Sequence, residues 1–533
     1  MDYVTITFWL VSLSCLSGAI LGLKRIRSAG AGWVVIYLSI LTVSVTGWVS
    51  GRGVFVYIAA GMWFVLVLLP GLIARQYQRC FFEQRYSDAR KLATVIGWLH
   101  PADGWSQLPS IVYALELAQQ GELARASEIL HPIQNVKSLI GLAAITNLYR
   151  LTQQWEELLV WYQRHRREID LHPQLLPTLL RALGETGKVR GLVELYNQRR
   201  HEIAKLVPPT SRDVCRLELF AFCGKRQAVE SLFLAGLSRI PTAMKTFWLA
   251  TADLASGAVE SGRRQLEELL QRADPVQRAA IERRLSQISI PGEPLDDSAE
   301  RVIAEAAVDQ GHDDRFGTQR SLFSRQALAS QIIIVANIAM FAAEIALGGG
   351  DNAETLYRLG ALFPPSVRAG ESWRLVASLF LHFGPFHLAM NMLGMWVLGP
   401  FVEFALGFRR FVFVYLLTGI GSMWVVMQIG PPQQMTVGAS GCIMGLVGAT
   451  GALMLRGWLR EKALAARRRL IGVVTIVLMQ TIFDSMVPQV SMTGHLSGTI
   501  IGFAIALVLG DRLRAAAQQL SASESQSMKQ TAA

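Results

Sequence analysis

Met435-Thr-Val-Gly-Ala-Ser-Gly-Cys-Ile-Met444 sets one serine among small residues, with Gly438 two places before Ser440 and Gly441 directly after it. Ser440 opens a run to Leu455 that carries no charge, as a membrane-spanning helix does. Taken alone, a serine beside glycines marks close packing of membrane helices. The other reading is a nucleophile at the mouth of an apolar helix, and the sequence on either side bears on which holds.

Five more apolar segments surround this one: Gln331–Leu347, Phe383–Val402, Phe411–Ile429, Leu470–Val487 and Gly494–Gly510. With Ser440–Leu455 they make six spans. Arg409 and Arg410 follow the second span, while Arg456, Arg460, Lys462 and Arg467 to Arg469 follow the fourth. Arg512 and Arg514 follow the sixth, and Gly430–Val437 after the third is uncharged. Basic residues collect on the cytoplasmic side, so Ser440 is expected at the external end of its helix. The loop Gly348–Leu381 then lies outside, and its apolar content places it partly in the membrane interface.

Ionisable groups near a membrane core are costly and point to function. His495, in Thr-Gly-His-Leu-Ser-Gly, begins the sixth span and therefore lies at the same external level as Ser440. His387 and Asn391, near the start of the second span, share that level and one helical face. Gly441 and Gly445 form a small-residue ridge on the fourth span, and Gly494, Gly498 and Gly502 form another on the sixth. Ridges of this kind let two backbones approach, which brings hydroxyl and imidazole together. A serine needs an adjacent base to become a nucleophile, and His495 is the group suited to that task. The fourth and sixth spans contain no Asp or Glu, so a Ser440–His495 dyad is expected. His387, Asn391 and the backbone N–H of Ser440 are the candidate oxyanion donors. Each residue also has a plainer role: Asn391 as an interhelical hydrogen-bond partner, His387 on a loop carbonyl, Cys442 as a small packing residue. Matched depth and glycine spacing together favour the catalytic reading.

Further out, the composition is that of a membrane protein diluted by a soluble part. Of 533 residues, 51% are hydrophobic and 17% charged, and the mean hydropathy is +0.33. The net charge of +11 gathers beside the spans, with no aromatic-interleaved basic patch for nucleic acid. Five scattered cysteines make neither a disulfide framework nor a metal-ligand spacing, and no metal or cofactor is expected. Residues 1–75 hold three spans, Val4–Leu23, Ala29–Val49 and Val54–Ile73, the first too long for a signal-peptide core. Lys24, Arg25, Arg27, Arg75 and Arg79 orient them with residue 75 onward in the cytoplasm.

From 76 to 290 the apolar spacing is helical, with turn-like points at Gly121, Gln154, Gly187, Gly224 and Gly262. Their steps of 33, 33, 37 and 38 residues lie near the helix–turn–helix repeat of about 34. The segment resembles a degenerate tetratricopeptide array, an α-solenoid-like domain suited to binding a protein or peptide. Residues 291–324 read as a polar linker with a short helix in it, and 513–533 as a disordered tail. The whole is an all-α polytopic membrane protein.

Residues 325–512 resemble the rhomboid family of intramembrane serine proteases. The matching pieces are Trp373-Arg374, His382-Phe-Gly-Pro-Phe-His387-Leu-Ala-Met-Asn391, Glu403, Gly438-Ala-Ser440-Gly441 and His495-Leu-Ser-Gly498-Thr-Ile-Ile-Gly502. The resemblance implies a six-helix bundle that cuts transmembrane substrates, with water reaching it from the external side. It implies Ser440 as nucleophile, His495 as base, and His387 and Asn391 in the oxyanion hole. A bacterial cytoplasmic membrane is the expected location. Two positions depart from the family: Met444 stands where an aromatic residue often stacks on the histidine, and Gly494 where Ala is usual. The rival reading is a family member that binds membrane proteins without cutting them. A third makes the repeat array the main function.

Overall fold

The computed structural model describes residues 3–23, 31–135, 138–287, 295–317, 322–323, 327–487 and 490–509. Helices account for almost all the regular structure. Among the described residues there is no strand, only an isolated antiparallel bridge between Leu362 and Thr436. The expected tail at 513–533 lies outside the described residues. The chain divides into two units, Asp2–Gln310 and Gly311–Ala533.

The first unit begins with α1 (Tyr3–Leu23), α2 (Ala31–Val49) and α3 (Gly53–Phe82), each long and apolar enough to cross a membrane. Their contact centres on Cys15, Ile40 and Ala59, with Gly18 lying under the Tyr37 ring. Ser12 and Ser44 bond across it at 3.2 Å, and the Trp63 indole donates to Ser14 at 3.0 Å. The third span runs longer than its expected end at Ile73. Pro70 does not stop it, because the helix widens to a π turn over Phe64–Leu68 just before. A π turn shifts the hydrogen-bond register, so the missing proline N–H is absorbed without a break.

Five helix hairpins follow. They pair Leu108–Gln119 with Leu123–Leu130, Leu139–Leu151 with Trp155–Arg164, Leu176–Glu185 with Val189–Gln198, Pro209–Phe222 with Arg226–Leu234, and Thr242–Ala255 with Val259–Leu270. From the third hairpin onward, the first helix of each packs on the first helix of the next. Every hairpin turns at a left-handed residue: Gly121, Gln153, Gly187, Gly224 and Gly257. Two of the turns expected from the sequence therefore move. Gln153, not Gln154, has positive φ. Gly262 is inside a helix, where an added Cβ would come within 2.7 Å of Leu254, so its smallness serves packing and Gly257 makes the turn. The helix expected within 291–324 is there, at Asp297–His312, and it packs with the hairpins. Ala299, Ile303 and Ala306, at helical spacing, enter the hairpin core. Glu300 and Asp309 pair with Lys225 at 2.8 Å and Arg200 at 2.7 Å. The abundance of charge in this segment hid its apolar stripe.

Inside the hairpins, Arg284 pairs with Glu185 at 2.8 Å, and Glu185 with Arg181 at 3.2 Å. Glu218 nearby is buried, and desolvation holds its carboxyl well above the usual carboxylate range, against a smaller opposing pull from Arg181.

The second unit contains the six remaining long helices: α4 (Leu328–Ala346), α5 (Pro385–Leu406), α6 (Phe408–Ile429), α7 (Ser440–Glu461), α8 (Leu464–Met486) and α9 (Met492–Val508). Eight of the nine reach the length and apolarity of a membrane span; α9, at 17 residues, is apolar but shorter, and residue 510, where its span was expected to end, lies outside the described residues. This is a multi-pass membrane protein. A carboxylate on α5 fixes the start of α4: Glu403 accepts the N–H groups of Ala329 at 2.8 Å and Ser330 at 2.9 Å, and the Ser330 hydroxyl at 2.8 Å. These are donors a helix start otherwise leaves unpaired.

Helix α7 is the centre, buried along most of its length. An added Cβ at Gly498 or Gly502 of α9 would lie 2.3 Å from the Gly441 carbonyl oxygen or 2.0 Å from that of Gly445. The bare faces of Gly441 and Gly445 themselves receive Ser422 and Thr418 of α6, at 2.2 Å and 2.4 Å from an added Cβ. The two ridges therefore meet residue for residue, Gly498 on the backbone of Gly441 and Gly502 on that of Gly445. The α9 glycines meet α7 carbonyls, and the α7 glycines admit α6. Gly448, which sequence reading passed over, completes the seam: its Cβ would sit 2.0 Å from the Thr499 oxygen. By contrast α8 is peripheral, its buried residues being Ala465, Ala466, Val473 and Asp484.

Gly448→Ala should destabilise the purified protein by at least the 1–3 kcal/mol or so typical of overpacking, read as a lowered thermal midpoint in micelles. Gly472→Ala, where an added Cβ meets nothing within 4 Å, should be near neutral. Equal midpoints would contradict the tight seam. In the first unit, the raised Glu218 carboxyl withholds stability as pH rises above the ordinary carboxylate range, where the unfolded chain ionises freely. Glu218→Gln should therefore stabilise the protein at pH 7, with the gain vanishing below about pH 4. A gain independent of pH would count against this assignment.

Candidate active site

The stretch that leads into Ser440 is held from outside the helix bundle. The loop between α4 and α5 folds into short helices at Ala353–Leu359, Pro364–Arg368 and Arg374–Ala377. Arg374 anchors it. Its Nη1 donates to the Tyr357 and Ala361 carbonyls at 2.6 Å and 3.1 Å, its Nε donates to Glu371, and its guanidinium lies over the Tyr357 and Trp373 rings. Gly360, with φ near +107°, leaves the space that the Trp373 ring fills. The ordered loop then grips the serine segment. Leu362 and Thr436 exchange backbone bonds of 3.0 Å and 2.9 Å, and the Gly438 N–H donates to the Ser378 carbonyl at 2.9 Å.

Gly438 has φ near +128°, a conformation that side chains rarely adopt. A Cβ there would lie 2.6 Å from His387 Cε1, 2.9 Å from its Nε2 and 3.7 Å from Ser440 Oγ. The glycine keeps open a wedge between imidazole and hydroxyl. Ser440 is the first residue of α7, so the N–H groups of that turn have no acceptor within the helix. Among the described residues the half-buried Ser440 hydroxyl makes no hydrogen bond within 3.5 Å.

His387 lies on the first turn of α5. Its Nδ1 accepts the Phe383 N–H at 3.3 Å, which puts the ring proton on Nε2, the atom beside the wedge. One turn on, Asn391 is buried and donates to the His387 carbonyl at 2.9 Å; its amide has a second N–H to offer. His382, before the helix, stacks edge-on against His387 with centroids 5.3 Å apart, and its N–H donates to Glu344 of α4 at 2.9 Å.

His495 begins α9, next to Gly494, whose carbonyl oxygen would lie 3.8 Å from a Cβ added at Gly441. Ser440 and His495 thus each neighbour the glycines through which α7 and α9 approach. A carboxylate from a third helix, which the sequence reading did not place here, stands beside the imidazole. Asp484 of α8 places Oδ2 2.8 Å from His495 Nδ1, and Gln480, one turn back, donates to Asp484 Oδ1 at 2.7 Å. The sequence did carry a signal. Helix α8 runs opposite to α9, so its last turn lies at the level of the first turn of α9, and Gln480 and Asp484 share a face at i,i+4. Met444 packs with Val447, Val473, Leu398 and Val477. Cys442 is fully buried, with its sulfur against Gly419, a packing residue.

A polytopic helical membrane protein with a hydroxyl, two imidazoles, an amide and a carboxylate gathered at one end of its bundle has the parts for acyl transfer. The Rhomboid domain model matches residues 369–512. Rhomboid protease GluP of Bacillus subtilis (strain 168) is 34% identical over 179 residues, 34% of each chain. RHOMBOID-like protein 6, mitochondrial, of Arabidopsis thaliana is 32% identical over 162 residues, 30% of this chain and 51% of that one. Rhomboid-like protease 2 of Toxoplasma gondii is 31% identical over 195 residues, 34% of this chain and 67% of that one. The chain belongs to the rhomboid family. It spans about a third of the first of these relatives and about half of the second.

Gly438→Ala should push the His387 ring out of place while the helices stay folded. If His387 is an oxyanion donor, a fluorophosphonate serine probe should react about 10²-fold more slowly with this variant, the lower end of the range for losing one such donor. Labelling at the wild-type rate would show that the wedge is not part of the site.

Proposed function

We propose that the chain is an intramembrane serine endopeptidase that hydrolyses peptide bonds in or near the transmembrane segments of other membrane proteins. The observation that carries this reading is the wedge at Gly438, with the Ser440 hydroxyl on one side and the His387 Nε2–H donor on the other. In this reading Ser440 attacks the substrate carbonyl as His495 takes its proton. His387, Asn391 and the Ser440 N–H stabilise the oxyanion. Trp373 and Arg374 hold the loop, and Gly438, Gly441, Gly498 and Gly502 hold the approach of the helices. The reaction draws on side chains and water alone.

The site opens to the external side of a bacterial cytoplasmic membrane, by the charge pattern of the loops. We read the segments as 1–75 membrane anchor, 76–290 cytoplasmic domain, 291–324 connection and 325–512 protease. The five hairpins, turning roughly every 34 residues, fit a degenerate tetratricopeptide-like array that binds a protein or peptide near the cytoplasmic face. A second reading, binding without cleavage, is favoured by the Ser440 hydroxyl having no hydrogen bond among the described residues. Catalytic contacts commonly tighten only when substrate binds, so the hydrolytic reading is preferred.

The test uses the full chain in vesicles with a transmembrane substrate whose helix is weakened near the external side. Cleavage should occur with the wild type and be lost in Ser440→Ala. Persistence in Ser440→Ala would overturn the proposal. Serine-probe labelling without cleavage of any of several such substrates would favour the binding reading.

A further inference from the structure

The helix Pro275–Ser286 follows the fifth hairpin and folds back across all five. At the turn of the first hairpin, Pro275 stands 3.3 Å from where a Cβ on Gly121 would be. Arg283 donates to the Gln153 carbonyl at 3.4 Å and to Glu156 at 2.8 Å in the second, and to the Glu185 carbonyl at 3.4 Å in the third. Arg284 pairs with Glu185 at 2.8 Å. Its guanidinium lies 4.7 Å from the centroid of the Phe222 ring in the fourth hairpin and 5.8 Å from that of Phe247 in the fifth. A helix of 12 residues is about 18 Å long. A rod of that length reaches five successive hairpins only from the inside of their curve. The helix therefore lies along the concave face, the surface on which helical repeats commonly take their ligands.

Its seat is looser than the hairpin cores. Those bury whole aromatic side chains such as Trp155, Tyr196 and Phe220, whereas this helix buries Ala280, Ile281 and Arg284 alone. Cavities of about 40 and 30 Å³ remain along it, both lined by Val276 and Gln277. Well-packed interiors leave few voids of that size. The side chains of the Arg284–Glu185 pair are 8% and 1% exposed. Taking two charges out of water offsets much of their attraction, so the pair selects an arginine at this place more than it tightens the helix. Glu185 keeps a second partner, Arg181 at 3.2 Å, so its charge is not stranded when Arg284 leaves. A helix held by three buried side chains beside voids opens before the hairpins do.

We propose that the concave face of the hairpins is a docking groove for a basic amphipathic helix of a partner protein, and that Pro275–Ser286 holds the groove shut until that helix displaces it. The partner presents an aliphatic residue and an arginine three positions later. That pattern is the one the groove already takes: Ile281 and Arg284 share a face at i,i+3 and are the two large side chains buried there. Ile281 is fully buried in one core with Phe247 and Trp248. Around the arginine, Glu185 supplies the opposite charge, and the Phe222 and Phe247 rings supply faces that attract a cation. This rests on the reading of the hairpins as a binding domain. Partner and internal helix compete for the same contacts, so the two exclude each other.

The test uses the full chain in micelles, with a fluorescein-labelled peptide of residues 274–287 as the probe and anisotropy as the readout. In Ile281→Asp a carboxylate cannot stay in the apolar seat of Ile281, so the internal helix is expelled. The wild type should bind the peptide at least about 10-fold more weakly than Ile281→Asp, because its groove is already filled. A peptide carrying Arg284→Ala should bind Ile281→Asp roughly 10-fold more weakly than the unaltered peptide. Deuterium exchange of the wild type should release the amides of 276–287 as one group, ahead of those of Pro209–Phe222. The same measurement checks that Ile281→Asp keeps its hairpins; where it does not, Arg284→Ala takes its place in the chain. Equal affinity for wild type and opened variant overturns the closure and leaves the binding reading standing. No binding to a variant with intact hairpins overturns both. Equal affinity of the two peptides overturns the arginine requirement, and amides of 276–287 as slow as those of Pro209–Phe222 overturn the displacement.

Discussion

Two carbonyl oxygens of α7, those of Gly441 and Gly445, touch the bare Cα positions of Gly498 and Gly502 on α9, and the rest of the site follows from that contact. Within a bilayer no hydrophobic effect pulls helices together, so the seam must come from close packing itself. Any side chain at these positions would separate the backbones and move His495 away from Ser440. Ser422 and Thr418 of α6 fill the other side of the same α7 glycines, satisfying their own hydroxyls on their own helix. Helix α7 is therefore clamped from two directions, which accounts for its nearly complete burial. The peripheral α8 joins this group at its outer end through Asp484.

Much of the architecture was legible in the sequence because the governing signals are local. Uncharged runs give the spans, loop arginines give their direction, and direction alone brings Ser440, His387, Asn391 and His495 to one end of the bundle. Glycine spacing marked the seam but not its geometry. The ridges do face each other, Gly498 on Gly441 and Gly502 on Gly445, but through carbonyl edges, and the α7 glycines also admit the hydroxyl-bearing residues of a third helix. Asp484 was passed over because acidic residues were sought only on the spans bearing the serine and the histidine. A carboxylate can equally arrive on the intervening antiparallel helix, whose last turn ends where the next begins. Gly262 and the packing of the helix Asp297–His312 misled for a related reason. A glycine that turns a chain and one that lets helices approach look alike in sequence, and a short apolar stripe is masked when charges fill the other faces.

The buried charges of the second unit share a logic. Glu403 accepts the free N–H groups that begin α4, Arg374 donates to loop carbonyls, and Glu344 accepts from the backbone of His382. Each meets backbone groups that regular structure leaves unsatisfied, at a point where the chain enters or leaves a helix. Asp484, by contrast with Glu403 and Glu344, meets the side chains of Gln480 and His495 and, among the described residues, no backbone group. That contrast sets it apart from the architectural carboxylates.

The bridge between Leu362 and Thr436, with the Gly438 bond to Ser378, ties the outer loop to the nucleophile's approach segment by backbone alone. Such bonds do not break one at a time. The amide hydrogens of Leu362, Thr436 and Gly438 belong to one cooperative opening, and they should exchange with solvent together. The loop therefore has no independent melting of its own: a fluctuation that frees it from the serine segment also releases the backbone geometry at Gly438. Local stability of the outer loop and the geometry of the hydroxyl are a single quantity in this molecule.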